Sequence, residues 1–435
     1  MPHKQAVFSP LRLLAMLTCV ASLVVASLPA AGSEAVLHSF NISQLGSTPE
    51  TKLVADAYGN LYGTTSSGGA YRGGIVFELS PNSKGGGYTQ TVIWNFGGSG
   101  QFDPGQLIFD SLGNLYGTAS TNEGGAVFKL VPGVGGAWTM NTIFSFTGDA
   151  GPEGTLNFDS AGNLYGVNSA GNGAVYELSP NAQGQWIETT LYSFTGLGDG
   201  GSPNSGLAFD AAGNIFGTTW YGGDPDCNEW YRNASCGVVF KLTNNGGGTW
   251  TESTLLVFDI TNGAYPLGGL VFDSTGNFYG ATEGGPGNNE YCFPGCGTVY
   301  RMSPNSDGSW TQTLLYTFAG GPDAADPNGD LVLDGQGNLY GTSYYGGLTN
   351  CGVTGCGTVF EISPSSGAFW NEKVIYRFSK GSGGFYPQAP HRRAATAVMR
   401  GTHPAELCLK SPRVAMEPGR RALYTRPRGT KLLSA

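Results

Sequence analysis

The residue types that most often carry out catalysis are scarce in this chain. Between residues 33 and 390 there is a single histidine, His38, so a serine-hydrolase triad or a His-dependent lyase site has almost no base to use. His38 stands in a predicted strand, where we expect a half-exposed packing role. The run Gly85-Gly86-Gly87 fits a turn and not a phosphate-binding loop. Carboxylates therefore remain the main candidates for chemistry.

Six aspartates recur in the motif Asp-x-x-Gly-Asn-apolar-aromatic-Gly, at successive spacings of 54, 49, 51, 63 and 61 residues. The aspartate carboxylate can accept a backbone N–H two residues on, and the glycine can take the left-handed conformation that closes a hairpin. A residue present in every repeat serves the repeat, so we interpret these aspartates as structural hairpin residues. They are Asp56, Asp110, Asp159, Asp210, Asp273 and Asp334.

Each repeat reads as four strands. The first ends at the aspartate, the second begins with Asn-Leu-Tyr-Gly, the third reads Gly-x-Val-Phe-x-Leu, and the fourth carries an aromatic residue eight positions before a Phe, as in Trp138 and Phe146. The even offset predicts that both rings lie on one face of the strand. Four antiparallel strands in each period of about 50 residues predict an all-β fold, a β-propeller of four-stranded blades with six full repeats.

Other acidic residues lie in predicted loops, chiefly Asp224, Asp226, Asp323 and Asp326. Oxygen-rich loops can hold Ca²⁺, but solvated turn residues are the favoured interpretation, and we expect no cofactor.

Six cysteines form three close pairs, each directly before the third strand of repeats four, five and six. In an oxidising compartment these pairs predict local disulfides that fix the bases of the loops. Structural zinc is the competing interpretation, but it needs four ligands and the pairs are about 60 residues apart. The pairs are Cys227 and Cys236, Cys292 and Cys296, and Cys351 and Cys356.

The loops of repeats four to six are also long and aromatic. Rigid exposed rings suit a face that binds a glycan or a protein, although such rings can also cap the ends of blades. The candidate binding residues are Trp220, Tyr221, Trp230, Tyr231, Tyr291, Phe293, Tyr344 and Tyr345.

The charge and the ends of the chain divide it into three parts. Residues 1–32 read as a secretory signal peptide, with basic, apolar and small-residue regions in that order. Residues 33–390 form the predicted propeller. Residues 391–435 carry 10 of the 22 Lys and Arg residues and 2 of the 31 acidic ones, which leaves a net charge of 12 − 29 = −17 for residues 1–390. This acidic body argues against a nucleic-acid partner.

A seventh repeat is predicted to be truncated. Proline stands seven residues before the aspartate in five repeats and six before it in another, and Pro387 continues the series. The expected next aspartate is replaced by Ala394, within a basic segment typical of a disordered tail or of a change in reading frame. Residues 36–40 match the end of a fourth strand, so an orphan strand and imperfect ring closure are expected.

The recurring Pro-x-x-x-Leu-x-x-Asp-x-x-Gly-Asn-Leu-Tyr-Gly-Thr-Thr, with Gly-Thr-Val-Phe-x-Leu after it, resembles the GloVer tandem repeat of secreted bacterial choice-of-anchor proteins. The Asp-x-x-Gly-Asn-aromatic step is similar to blades of NHL type. The resemblance covers residues 36–390 and implies an exported, surface-associated propeller without an assigned reaction. We therefore expect a non-enzymatic protein that binds a glycan or surface partner. The alternatives are a metal-dependent hydrolase or lyase similar to propeller lactonases, which use carboxylates, and a structural envelope protein.

Overall fold

The computed structural model describes residues 37–40, 44–49, 51–82, 87–98, 100–148, 150–227, 235–288, 290–347, 351–365, 370–379 and 387. The predicted signal peptide, 1–32, and the basic tail, 391–435, lie outside these residues.

The described residues form a six-bladed β-propeller, and each blade is an antiparallel sheet whose strands pair in chain order. This confirms the predicted all-β fold and its four-stranded blades. In blades five and six the first strand is divided into two short pieces that both pair with the next strand.

The strand bounds follow the repeats. Blade one contains β1 Val54–Ala55, β2 Leu61–Thr65, β3 Ile75–Pro81 and β4 Tyr88–Asn95. Blade two contains β5 Gln101–Phe109, β6 Leu115–Thr121, β7 Gly124–Pro132 and β8 Trp138–Thr147. Blade three contains β9 Pro152–Phe158, β10 Leu164–Asn168, β11 Ala174–Pro180 and β12 Trp186–Ser193.

The second half of the ring is built in the same order. Blade four contains β13 Ala208–Phe209, β14 Ile215–Thr219, β15 Val238–Asn244 and β16 Trp250–Val257. Blade five contains β17 Ala264–Pro266, β18 Val271–Phe272, β19 Phe278–Gly284, β20 Thr298–Pro304 and β21 Trp310–Thr317. Blade six contains β22 Ala324–Pro327, β23 Val332–Leu333, β24 Leu339–Gly346, β25 Thr358–Pro364 and β26 Trp370–Arg377.

The glycine that ends each motif lies beneath an aromatic ring of the third strand. Gly217 pairs with Phe240 across β14 and β15, and a methyl group on Gly217 would lie 2.5 Å from Phe240 Cζ. Gly341 and Phe360 repeat this arrangement in blade six, at 2.4 Å. The position is therefore restricted to glycine because any side chain would displace a core ring.

Hydrogen bonds between first strands place these strands around a common axis. Thr155 Oγ1 donates to Gln106 Oε1 at 2.7 Å between blades two and three, and the N–H of Gly269 donates to Asp330 Oδ1 at 2.7 Å between blades five and six. Lys52 Nζ lies 3.9 Å from Asp330 Oδ2, so a salt bridge connects blade one to blade six.

The hydrophobic core lies between neighbouring blades. In blades one to five, the Phe near the end of the fourth strand packs on the third-strand ring of the next blade, as Phe194 does on Phe240, with ring centroids 5.0 Å apart. Corresponding pairs join the other blades at centroid separations of 4.9–5.5 Å, namely Phe96 and Phe128, Phe146 and Tyr176, Phe258 and Tyr300, and Phe318 and Phe360.

The prediction that the two fourth-strand aromatics share one face is wrong. Phe318 of blade five packs forward on Phe360 of blade six, whereas Trp310 packs on Phe278 of its own blade and backward on Phe216 of blade four. A register shift separates the two rings in every blade. One extra residue in such a β-bulge reverses the alternation of side chains, and the aromatics therefore reach opposite neighbours.

The regular spacing of the prolines has its cause in the contact between blades. The prolines that lead into blades two to six each lie over a glycine at the start of the third strand of the blade before; a methyl group on Gly297, for example, would lie 2.5 Å from Pro327 Cδ. The residue before this proline, Asp326, has a φ of 60° and donates its backbone N–H to the carbonyl of Cys296 at 2.9 Å. Tyr265 makes the same bond to Cys236, also at 2.9 Å.

The truncated seventh repeat stays a prediction, because Ala394 lies outside the described residues. Residues 37–40, predicted as the end of a strand, are not in a strand in the structure. Phe40 is nevertheless buried, and its ring lies 4.8 Å from that of Phe77 in blade one.

Candidate functional site

The six motif aspartates direct their carboxylates into their own hairpins. Asp273 Oδ1 accepts the backbone N–H groups of Thr275 and Asn277 at 2.8 and 3.0 Å. Its Oδ2 accepts the side-chain amide of Asn277 at 2.8 Å and the hydroxyl of Tyr279 at 3.0 Å. The same two backbone N–H bonds and the Asn side-chain bond recur at Asp56, Asp110, Asp159, Asp210 and Asp334.

These hydrogen bonds change the acidity of the hairpin carboxyls. Burial alone would raise the pKa of Asp273, but the bonds from Asn277, Thr275 and Tyr279 outweigh it and lower the pKa to about 2. The pKa values of Asp56, Asp110 and Asp334 are lowered by the same balance of burial and hydrogen bonding.

We expect the hairpin of Asp273 to contribute to acid unfolding. Because its folded pKa lies below the ordinary value of 3.8, its stabilisation is complete above that value and is lost as the pH falls towards 2. The variant Asp273→Asn should therefore be less stable than the parent at pH 6, with a smaller difference at pH 2. Urea unfolding at both pH values measures this, and a difference that does not depend on pH would contradict it.

Two of the other candidate acids accept backbone hydrogen bonds within their own loops. Asp224 Oδ1 accepts the N–H of Asp226 at 2.9 Å, and Asp323 Oδ2 accepts the N–H of Ala319 at 2.8 Å. Within the described ranges, no group of three or more His, Cys, Asp or Glu side chains is placed to hold a metal ion. His38 packs edge-on against Phe40 at 4.8 Å, and burial lowers its pKa.

The three predicted disulfides are present. Their Cα–Cα distances are 5.6 Å for Cys227–Cys236, 5.0 Å for Cys292–Cys296 and 5.2 Å for Cys351–Cys356. They indicate an oxidising compartment, extracellular or in the cell envelope. No helix among the described residues is long and apolar enough to cross a membrane.

One pocket brings together several of the predicted binding residues, at the junction of blades five and six. Tyr291 and Phe293, from the loop between β19 and β20, and Tyr345, from β24, line a cavity of about 180 Å³. Cys292 and Cys296 both line this pocket, and the disulfide between them fixes the loop that carries two of the aromatic rings.

Among the described residues, the charged side chains that line this pocket are all acidic. Glu283 comes from β19, Tyr265 from β17 and Asp326 from β22. The prediction that Asp326 lies in a loop is therefore wrong. Asp326 and Tyr265 are the residues whose backbone N–H groups join neighbouring blades, so the packing of the ring itself fixes their positions.

The remaining candidate aromatics are distributed around the pocket or away from it. Tyr344 is buried behind the wall, with its ring 4.6 Å from that of Tyr345, and Trp220 packs on Tyr265 at 5.9 Å. Tyr221 lies apart, where its hydroxyl donates to Asn172 Oδ1 at 3.2 Å. The other two, Trp230 and Tyr231, lie outside the described residues.

A group of polar residues that connect the first strands of neighbouring blades was not predicted from the sequence. Lys52, Gln106, Thr155 and Asp330 each stand four residues before a motif aspartate and bond between blades. Gln106 is 3% exposed, and its side-chain amide nitrogen has no protein partner within the described part of the chain. The signal was available, because this position varies between repeats, whereas the position directly after it is Leu in all six.

The repeat itself matches a known family model. The model is the Gloeobacter/Verrucomicrobia repeat, which matches residues 104–354 and 230–398, together more than half of the chain. The chain belongs to the Gloeobacter/Verrucomicrobia repeat family. This confirms the resemblance to the GloVer repeat, and it means that the hairpins and blade contacts described above are those of a Gloeobacter/Verrucomicrobia repeat protein.

Solved structures with some likeness to this repeat protein include two from bacteria. Virginiamycin B lyase from Staphylococcus aureus is 12% identical, with a TM-score of 0.46 over 75% of this chain and 84% of that one. A proposed 6-phosphogluconolactonase from Bacteroides fragilis is 14% identical, with a TM-score of 0.49 over 77% and 86%. Similarities of this size carry no information on activity. No curated protein matches the sequence.

Proposed function

We propose that the protein is a secreted or cell-surface propeller that binds a glycan in the pocket between blades five and six. The observation that carries this proposal is the convergence of Tyr291, Phe293 and Tyr345 on one cavity whose polar wall contains Glu283 and Asp326. Aromatic rings can stack on the apolar faces of a sugar ring, and carboxylates can accept hydrogen bonds from its hydroxyl groups.

The rigidity of the site supports a binding role. Loop residues lose conformational entropy when a ligand orders them, and a loop that is already fixed avoids this cost. The Cys292–Cys296 disulfide fixes the Tyr291–Phe293 segment, and contacts between blades fix Asp326. The cavity, about 180 Å³, is smaller than the roughly 300–1,000 Å³ of sites for drug-sized ligands, which favours a sugar unit or the end of a glycan chain.

The test is a glycan panel, with calorimetry on the glycans that bind. Phe293 and Tyr345 should be binding hot spots, so Phe293→Ala and Tyr345→Ala should each weaken affinity about tenfold or more. The matched control is Tyr58→Ala, which removes a ring that is 87% exposed on the hairpin of blade one, away from the pocket. A panel without binding, or glycan binding unaffected by both pocket variants, would overturn the proposal.

A further inference from the structure

The interface between blade six and blade one differs from the five other interfaces between blades. At those five, the preceding blade supplies a Phe that covers a third-strand ring of the next blade, and the next blade supplies a proline that covers a glycine of the preceding one. A six-bladed ring closed by the same rule would pack Phe378 on Phe77 and Pro49 on Gly357.

Blade six already holds the proline that its glycine requires. A methyl group on Gly357 would lie 2.5 Å from Pro387 Cδ, the same distance as from Gly297 to Pro327 Cδ. Pro387 therefore fills the place that Pro49 of blade one would occupy in a ring closed by the common rule.

Blade one, in turn, already holds the ring that its third strand requires. Phe40 is 5% exposed and covers Phe77 at a centroid separation of 4.8 Å. Phe378 of blade six cannot occupy that place, and it is only partly buried, whereas the corresponding Phe residues of blades one to five are 0–6% exposed.

Near the axis the two blades are connected by a long side chain. Lys52 reaches Asp330 at 3.9 Å, with 57% of its own side chain exposed. An exposed ion pair of this kind contributes little to stability. Between blades five and six, the backbone N–H of Gly269 bonds directly to the same aspartate at 2.7 Å.

We propose that the interface between blades six and one is a docking surface for one further copy of the repeat. Pro387 occupies the first position of that copy and Phe40 the last. For a blade inserted between them, the contact of Pro387 with Gly357 and that of Phe40 with Phe77 are therefore already formed. Its third-strand aromatic covers Phe378, as Phe360 covers Phe318. The partner that fits is a four-stranded blade with this chain's own repeat sequence.

The test is a graft in which residues 328–373, the sixth repeat after Pro327, follow Pro387 in place of residues 388–435. We expect a higher thermal midpoint and at least roughly tenfold slower cleavage by a protease that attacks the opened state. In the parent, Phe378→Ala should change the rates of folding and of cleavage little. In the graft, the same substitution should markedly accelerate cleavage. The matched control is the graft whose copy of Phe360 is replaced by Ser, which should lose most of the gain.

A folded graft without a gain over the parent, or with the same gain in the control, would overturn the proposal. If the graft does not fold, the thermal midpoints of two variants of the native chain test the proposal instead. Phe40→Ala should lower the thermal midpoint more than Phe378→Ala does. The reverse order would mean that Phe378 closes the ring on blade one, and the docking surface would not exist.

Discussion

Replacing Gly297 with alanine should lower the free energy of unfolding by about 3 kcal/mol, from the strain of a left-handed residue and from overpacking. Gly297 has a φ of 95°, and an added methyl group would lie 2.4 Å from the carbonyl oxygen of Thr282 and 2.5 Å from Pro327 Cδ. Neither the strand backbone nor the proline ring can move without opening the contact between blades five and six. Chemical denaturation followed by circular dichroism measures the loss.

Gly276 provides the matched control. Its φ is 86°, but no atom lies within 4 Å of the place where a methyl group would be added. Gly276→Ala therefore carries the backbone strain alone and should cost about 1 kcal/mol. Equal losses in the two variants would show that the proline contact does not constrain Gly297.

The second large effect is expected at Phe240, which is fully buried between blades three and four. Its ring lies against that of Phe194 and over Gly217, so Phe240→Ala leaves a cavity that no neighbouring side chain can fill. We expect a loss of about 3–5 kcal/mol in the free energy of unfolding.

The comparison variant is Phe293→Ala, which removes the same side chain from a site where it is 43% exposed. It should change stability by less than about 0.5 kcal/mol, as surface substitutions usually do. This measurement also shows whether the binding variant is folded. A small effect at Phe240, similar to that at Phe293, would mean that blades three and four do not depend on this ring contact.

The repeated features of the fold were predictable because six copies of each signal agree. The Asp273 hairpin needs only residues within six positions of each other, and the three cysteine pairs are close enough in sequence to allow one natural pairing each. The fourth-strand bulge was not predictable in this way, since the offset between Trp310 and Phe318 does not reveal that one residue between them is unpaired.

Contacts between repeats were harder to predict than contacts within them. The spacing of the prolines was visible, but its cause, the packing of Pro327 on Gly297, joins residues of two blades. The candidate site has the same property. Tyr291 and Phe293 were proposed from one loop, whereas Asp326 joins them only because a backbone bond to Cys296 draws the next blade against that loop.

The disulfides have a consequence for how this surface can vary. The paired cysteines are nine, four and five residues apart in sequence, yet their Cα atoms are separated by nearly the same distance, 5.0–5.6 Å. In blades four to six the two ends of the cysteine-closed segment are therefore held at nearly the same separation, whatever the length of chain between them. Lengthening a loop that is closed in this way costs only about 0.6 kcal/mol for each doubling. Loops of different length can thus be carried between the paired cysteines while the ring that carries them is left unchanged.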